Sequence, residues 1–121
     1  MIFKNVLPKE NRLVKEKDFQ EIFKKGKGVK EGPLTFKWLH NNLKVIRFAF
    51  VVSRKVSKKA VVRNSIKRAL REKTRLMLPL FKKGIEGVII ANPGAEKERK
   101  EKLKKDLIKI FEKIKAIENN D

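Results

Sequence analysis

The chain contains no cysteine and no tyrosine, a single histidine, and aspartate only at positions 18, 106 and 121. Without cysteine there is no disulfide framework and no thiolate metal centre. His40 falls in a predicted strand-end loop, and no serine has a histidine base near it, so no nucleophile–base pair is legible. A self-contained metal nuclease needs several carboxylates converging on Mg²⁺. Here the acids are dispersed among lysines, as in Glu96-Lys97-Glu98-Arg99-Lys100-Glu101-Lys102. That pattern reads as solvated helix surface with i,i+4 pairs. Gly26-Lys27-Gly28 lacks the spacing of a phosphate-binding loop and reads as a turn. No apolar run approaches the ~20 residues needed to cross a bilayer. The segment Met1-Ile2-Phe3-Lys4-Asn5-Val6-Leu7-Pro8 has no apolar signal-peptide core. Together these absences predict a cytoplasmic protein.

Positive charge is what the chain has in excess. Of 121 residues, 33 are Lys or Arg and 14 are Asp or Glu, a formal net charge of +19. The charged fraction of 39% exceeds the ~25% of ordinary globular domains. Such an excess costs folding stability through self-repulsion and favours a polyanion, with nucleic acid ahead of an anionic membrane surface. High Lys and Glu without Cys also suits a thermophile, and an AT-rich genome gives the same bias.

The length predicts one domain spanning residues 1–121, with 1–12 as an extended arm and 118–121 as a disordered tail. A first helix is predicted over residues 15–25, with Phe19, Ile22 and Phe23 on one face and Gly26 as its stop. Short strands follow near Val29, over 34–39 and over 46–53, with a turn at Asn41-Asn42. In the third, Ile46, Phe48, Phe50 and Val52 share one face and Arg47, Ala49 and Val51 the other. A helix over 59–78 ends at Pro79, and Lys83-Gly84 forms a loop. A short strand over 88–91 closes at Asn92-Pro93-Gly94. A last helix over 96–117 carries the stripe Leu103, Leu107, Ile110, Phe111, Ile114 and Ile117 and reads as a core-packing helix with a solvated polar face. The order implies an α+β sandwich of a mixed sheet with helices packed against it.

The helix at 59–78 is the strongest functional signal. At about 100° per residue, Arg63, Asn64, Lys67, Arg68, Arg71 and Arg75 fall within an arc of about 140°. Val62, Ile66, Ala69, Leu70 and Met77 lie opposite. Guanidinium forks suit phosphate, and Asn64 suits a base edge, a 2′-hydroxyl or a sugar-phosphate contact. Lys58 and Lys59 precede the helix and reach the same path. The competing reading is a solvated basic face, but Glu72 is the only acid available to balance it. The second signal is Phe19 and Phe23, which serve either the core or the wall of a groove in which unpaired bases stack. The strand face with Thr35, Lys37, Ala49 and Val51 is the expected floor.

Two segments carry a resemblance: Phe48-Ala49-Phe50-Val51-Val52-Ser53-Arg54-Lys55-Val56, and Ala60-Val61-Val62-Arg63-Asn64-Ser65-Ile66-Lys67-Arg68-Ala69-Leu70-Arg71. With Asp18-Phe19-Gln20-Glu21-Ile22-Phe23-Lys24-Lys25-Gly26 and Val88-Ile89-Ile90-Ala91-Asn92-Pro93-Gly94-Ala95, the chain from about 8 to 115 resembles the bacterial ribonuclease P protein subunit. The resemblance implies the order α-β-β-β-α-β-α with a left-handed crossover, against the usual rule for parallel strands. It implies a protein that assists endonucleolytic removal of the 5′ leader of precursor tRNA, while a catalytic RNA and its Mg²⁺ carry the chemistry. Lys58, Lys59, Arg63, Asn64, Lys67, Arg68 and Arg71 would bind the catalytic RNA. Phe19, Phe23, Thr35, Lys37, Ala49 and Val51 would form the leader groove. No catalytic residue in the protein, no DNA and no membrane partner are expected. Two departures stand out: Ser65 replaces the second arginine of the usual Arg-Asn-Arg, leaving its contact to Lys58 or Lys59, and Lys37 stands where relatives often carry an aromatic residue. A non-enzymatic RNA-binding module, such as a ribosomal protein or RNA chaperone, is the alternative on composition alone.

Overall fold

The computed structural model describes residues 7–41, 44–82 and 84–117. The elements are a 3₁₀ turn (Lys9–Asn11), α1 (Glu16–Lys25), β1 (Lys27–Glu31), β2 (Leu34–His40), β3 (Ile46–Val52), α2 (Ala60–Met77), a 3₁₀ turn (Leu78–Leu80), β4 (Ile85–Ala91), a 3₁₀ turn (Ala95–Lys97) and α3 (Lys100–Lys113). The sheet runs β1-β2-β4-β3, with β1/β2 and β2/β4 antiparallel and β3/β4 parallel. Parallel neighbours cannot be joined by a tight turn, and α2 supplies the crossover. The α+β order expected from the sequence is the order observed.

One sheet face carries the main core. Leu34, Phe36 and Trp38 of β2, Phe48 of β3, and Ile85 and Ile89 of β4 are buried there beneath α2 and α3. Ile66 and Leu70 descend from α2, and Leu103, Leu107 and Phe111 from α3. Phe111 meets Phe36 edge-on at 5.4 Å between ring centroids and lies 5.7 Å from Phe48. Such aromatic pairs add about 0.5–1.5 kcal/mol each beyond area burial. The opposite face carries a smaller cluster of Leu13, Ile22 and Val88, over which α1 lies.

The strand expected at 88–91 begins three residues earlier, at Ile85. Glycines at 84 and 87 mimic a loop in sequence, yet Gly87 is paired opposite Trp38 and Phe48 in mid-sheet. A Cβ there would strike the Phe36 ring and approach the Lys37 carbonyl, so the glycine makes room for the core aromatic. The last helix is shorter than expected at both ends. It starts only after the extended Arg99, and it ends where Lys115 turns left-handed, at φ 61°. There the Ala116 N–H donates to Phe111 O (3.0 Å) and the Lys115 N–H to Glu112 O (3.0 Å), a Schellman closure. Ile117 then bridges to Phe81. Gly26 stops α1 without a left-handed turn, at φ −74°; a Cβ would strike the carbonyls of Ile22 and Trp38.

The extended arm expected over 1–12 lies partly outside the described residues. Within them, Leu7 is buried, residues 9–11 turn, and the Leu13 N–H donates to Phe48 O (3.0 Å) at the β3 edge. The predicted tail at 118–121, Asn42 and Lys83 also lie outside the described residues.

Gly87→Ala is expected to destabilise the fold by about 1–3 kcal/mol through overpacking against Phe36. Urea unfolding measures this, and an unchanged midpoint would show that Phe36 shifts freely.

Candidate nucleic-acid interface

Ile66, Leu70, Thr74 and Met77 bury one side of α2 against the core. Thr74 was not expected on that stripe; its hydroxyl donates to Leu70 O (2.9 Å), which satisfies it inside the helix. With this side held down, the predicted basic residues face outward. Lys58, Lys59, Asn64 and Arg68 are exposed, and Arg63, Lys67 and Arg71 are half-exposed. The helix begins at Lys59 with no side-chain cap and no acid in its first turn. Its positive dipole end therefore coincides with a cluster of cations, an arrangement suited to an anionic partner. Arg63 Nη1 donates to Ser57 O (2.8 Å), tying its guanidinium to the preceding loop. Glu72 lies 3.5 Å from Lys104 of α3, so the one acid available to the basic face is turned toward the neighbouring helix.

Sequence reasoning gave no role to Arg54 and Lys55, which the structure places beside this face. Residues 53–56 form a turn in which the Val56 N–H donates to Ser53 O (3.0 Å) and the Lys55 N–H to Ser53 Oγ (3.2 Å). Val56 is buried and anchors the turn, so Arg54 and Lys55 project into solvent between β3 and α2. The usable signal was a basic pair between a strand end and a lone buried valine.

On the opposite face of the sheet the pairing register aligns two rows. One is Gly28–Lys37–Val88–Ala49 and the other Lys30–Thr35–Ile90–Val51. The four predicted floor residues therefore share a face and fall in adjacent rows. The first row runs beneath α1, where Ala49 packs against the Leu13–Ile22–Val88 cluster; in the second, Val51 is 39% exposed. Ile22, Phe19 and Phe23 step outward over an arc of about 100° on α1. Burial follows that order: Ile22 is 1% exposed, Phe19 half-buried and Phe23 48% exposed. The two phenylalanines are thus not equivalent, since Phe19 packs on the cluster and Phe23 forms an open wall. The stem of Lys37 lies beside Gly28 on β1, within ordinary contact distance of where a Cβ would sit. Asn92 Nδ2 donates to Thr35 Oγ1 (2.8 Å) at the end of the floor.

Two groups with shifted pKa values, Glu31 and Lys102, belong to contacts of α3. Hydrogen bonding from Lys113 lowers the Glu31 pKa, which fastens α3 to β1. Asp106, buried on α3, raises the Lys102 pKa through its hydrogen bond. His40 Nδ1 lies 3.3 Å from Gly84 O at the end of β2. Among the described residues no three His, Cys, Asp or Glu side chains converge as a metal site. No helix among them is long and apolar enough to cross a membrane.

The family profile for ribonuclease P matches residues 7–115. The chain belongs to the ribonuclease P protein family. It is 37% identical over 116 residues to the ribonuclease P protein component of Pseudanabaena sp., covering 95% of this chain and 100% of that one. It is 40% identical over 108 residues to that of Dictyoglomus turgidum, covering 88% and 90%. The Staphylococcus aureus RNase P protein superposes with a TM-score of 0.82 at 28% identity, covering 91% of this chain and 100% of that one. The Thermotoga maritima RNase P protein gives 0.76 at 28% identity, covering 89% and 98%. The chain is a ribonuclease P protein component, a tRNA-processing subunit of a ribonucleoprotein endoribonuclease, and its partner is an RNA.

Phe19→Ala is expected to lower stability by about 1–3 kcal/mol, since a half-buried ring that packs on the Leu13–Ile22–Val88 cluster is lost. Phe23→Ala should cost under about 1 kcal/mol because it removes an exposed ring. Equal losses in urea unfolding would show that both rings are core.

Proposed function

We propose that α2 and the turn before it bind the catalytic RNA of ribonuclease P, and that the α1–sheet groove holds the single-stranded 5′ leader of precursor tRNA. The observation that carries this reading is the division of labour between two faces. The α2 side presents Lys58, Lys59, Arg63, Asn64, Lys67, Arg68 and Arg71 with no acid among them. The α1 side presents an exposed aromatic wall at Phe23 over a floor of Thr35, Lys37, Ala49 and Val51. A folded RNA offers dense phosphate to the first, and unpaired nucleotides offer bases to stack on the second.

The protein's share of the reaction is positioning. Holding leader and catalytic RNA together converts encounter into an intramolecular arrangement and raises the effective Mg²⁺ affinity of the complex. Among the described residues no three carboxylates or histidines gather as a Mg²⁺ cage would need, and in this reading Mg²⁺ is held by the RNA. Removal of the leader in the cytoplasm gives the mature tRNA 5′ end. Ser65 leaves the second arginine's phosphate to Lys58 or Lys59, and Lys37 offers the leader an ammonium in place of a ring.

Arg68→Ala should weaken binding to the catalytic RNA and flatten the dependence of log K on log salt by about 0.9. An unchanged slope would remove Arg68 from the phosphate contacts. Phe23→Ala in the assembled complex should cost precursor tRNA about 1–3 kcal/mol of binding while sparing mature tRNA. Equal losses on both would show that the ring does not touch the leader.

A further inference from the structure

The two surfaces lie on opposite faces of one sheet, and RNA that engages both must pass around a sheet edge. The β1 edge carries acids: Glu31 lies on it, bridged to Lys113, and Asp106 is buried beside Gly32. The β3 edge carries a cleft of about 310 Å³ instead. Its wall is apolar, made largely of Leu13, Val14, Phe48 and Phe50, and among the described residues no acid lines it. Two arginines enter it from opposite layers: Arg71 from α2, and Arg12 from the segment leading into α1. Arg12 is exposed, and its Nε donates to Leu7 O (2.8 Å). That bond engages Nε and fixes the plane of the guanidinium, and Arg12 is one of the residues that line the cleft. Val14, 74% exposed at the rim, offers an apolar shelf beside them. The volume is at the small end for a ligand site and suits a single nucleotide unit.

We propose that Arg12 and Arg71 clamp one RNA phosphodiester in this cleft, at the crossing point between the α2 surface and the leader groove. Guanidinium forks from two sides favour phosphate over a neutral ligand. The inference rests on the proposed RNA-binding role of α2 and adds Arg12 as a positioning residue. The phosphate comes either from the catalytic RNA or from the precursor's leader.

The test uses Arg12→Gln, Arg71→Gln and the double variant. It measures catalytic-RNA affinity, and the affinity of the assembled complex for precursors with long and short leaders, each across a salt series. Both single variants and the double variant should flatten the same slope by about 0.7–0.9, because one phosphate is lost in every case. Loss in the first arm assigns the phosphate to the catalytic RNA, and loss dependent on leader length assigns it to the leader. Arg12→Lys should keep the slope; a Lys variant as impaired as the Gln variant would mean that Arg12 acts only by anchoring Leu7, and the clamp fails. A doubled effect in the double variant would place the arginines on separate phosphates and overturn the clamp. Lys67→Gln is the reference. If it weakens catalytic-RNA binding while Arg12→Gln changes neither arm, the clamp alone is wrong. If Lys67→Gln also has no effect, the α2 reading has failed.

Discussion

The parallel pairing of β3 with β4 is the interaction on which the rest of this structure depends. Antiparallel neighbours are joined by a short turn, but parallel neighbours need a crossover. The 18-residue α2 is that crossover, so the strand pairing itself delivers the basic helix to the core face of the sheet. Ile66, Leu70 and Met77 hold it there, which turns Asn64, Lys67 and Arg68 outward. The same pairing makes β4 central and leaves β3 at the edge, where the segment around Leu13 docks and opens a path between the two faces.

A chain with a net charge of +19 has to oppose its own repulsion with a small core. It does so by concentrating aromatic rings: Phe36, Phe48, Phe81 and Phe111 form a linked set, with centroid separations from 4.9 to 5.9 Å. The acids are deployed in the same spirit. Glu31, Asp106 and Glu72 pair with lysines of α3, at or beside the packing of that helix. The outer face of α2 is left without acids, so its like charges repel one another, and an anion bound there would stabilise the fold as well as be held by it. Exposed salt bridges contribute little individually; their placement shows where charge is neutralised and where it is kept.

Much of this was legible in the sequence. The alternation in β2 and β3 assigned the core face and the opposite face of the sheet correctly, because a two-residue period fixes the face of every side chain. The basic arc of α2 followed from helical periodicity. What stayed hidden depended on contacts between distant residues. Gly87 looks like a loop until Phe36 is placed against it. The end of α3 depends on a lysine in a left-handed conformation, which no residue preference announces. Phe19 and Phe23 share a helical stripe, and only the docking of Ile22 onto Val88 separates the packed ring from the open one. Arg12 lay in a stretch read as an arm, and its proximity to Arg71 follows from the β3 edge alone.

Cleavage of a leader-bearing precursor tRNA at low Mg²⁺ tests the central claim most directly. It compares this protein alone, a ribonuclease P RNA alone, and both together. The account predicts that leader removal appears only when protein and RNA are combined. Cleavage by the protein alone would contradict it and would place an active site on the chain itself.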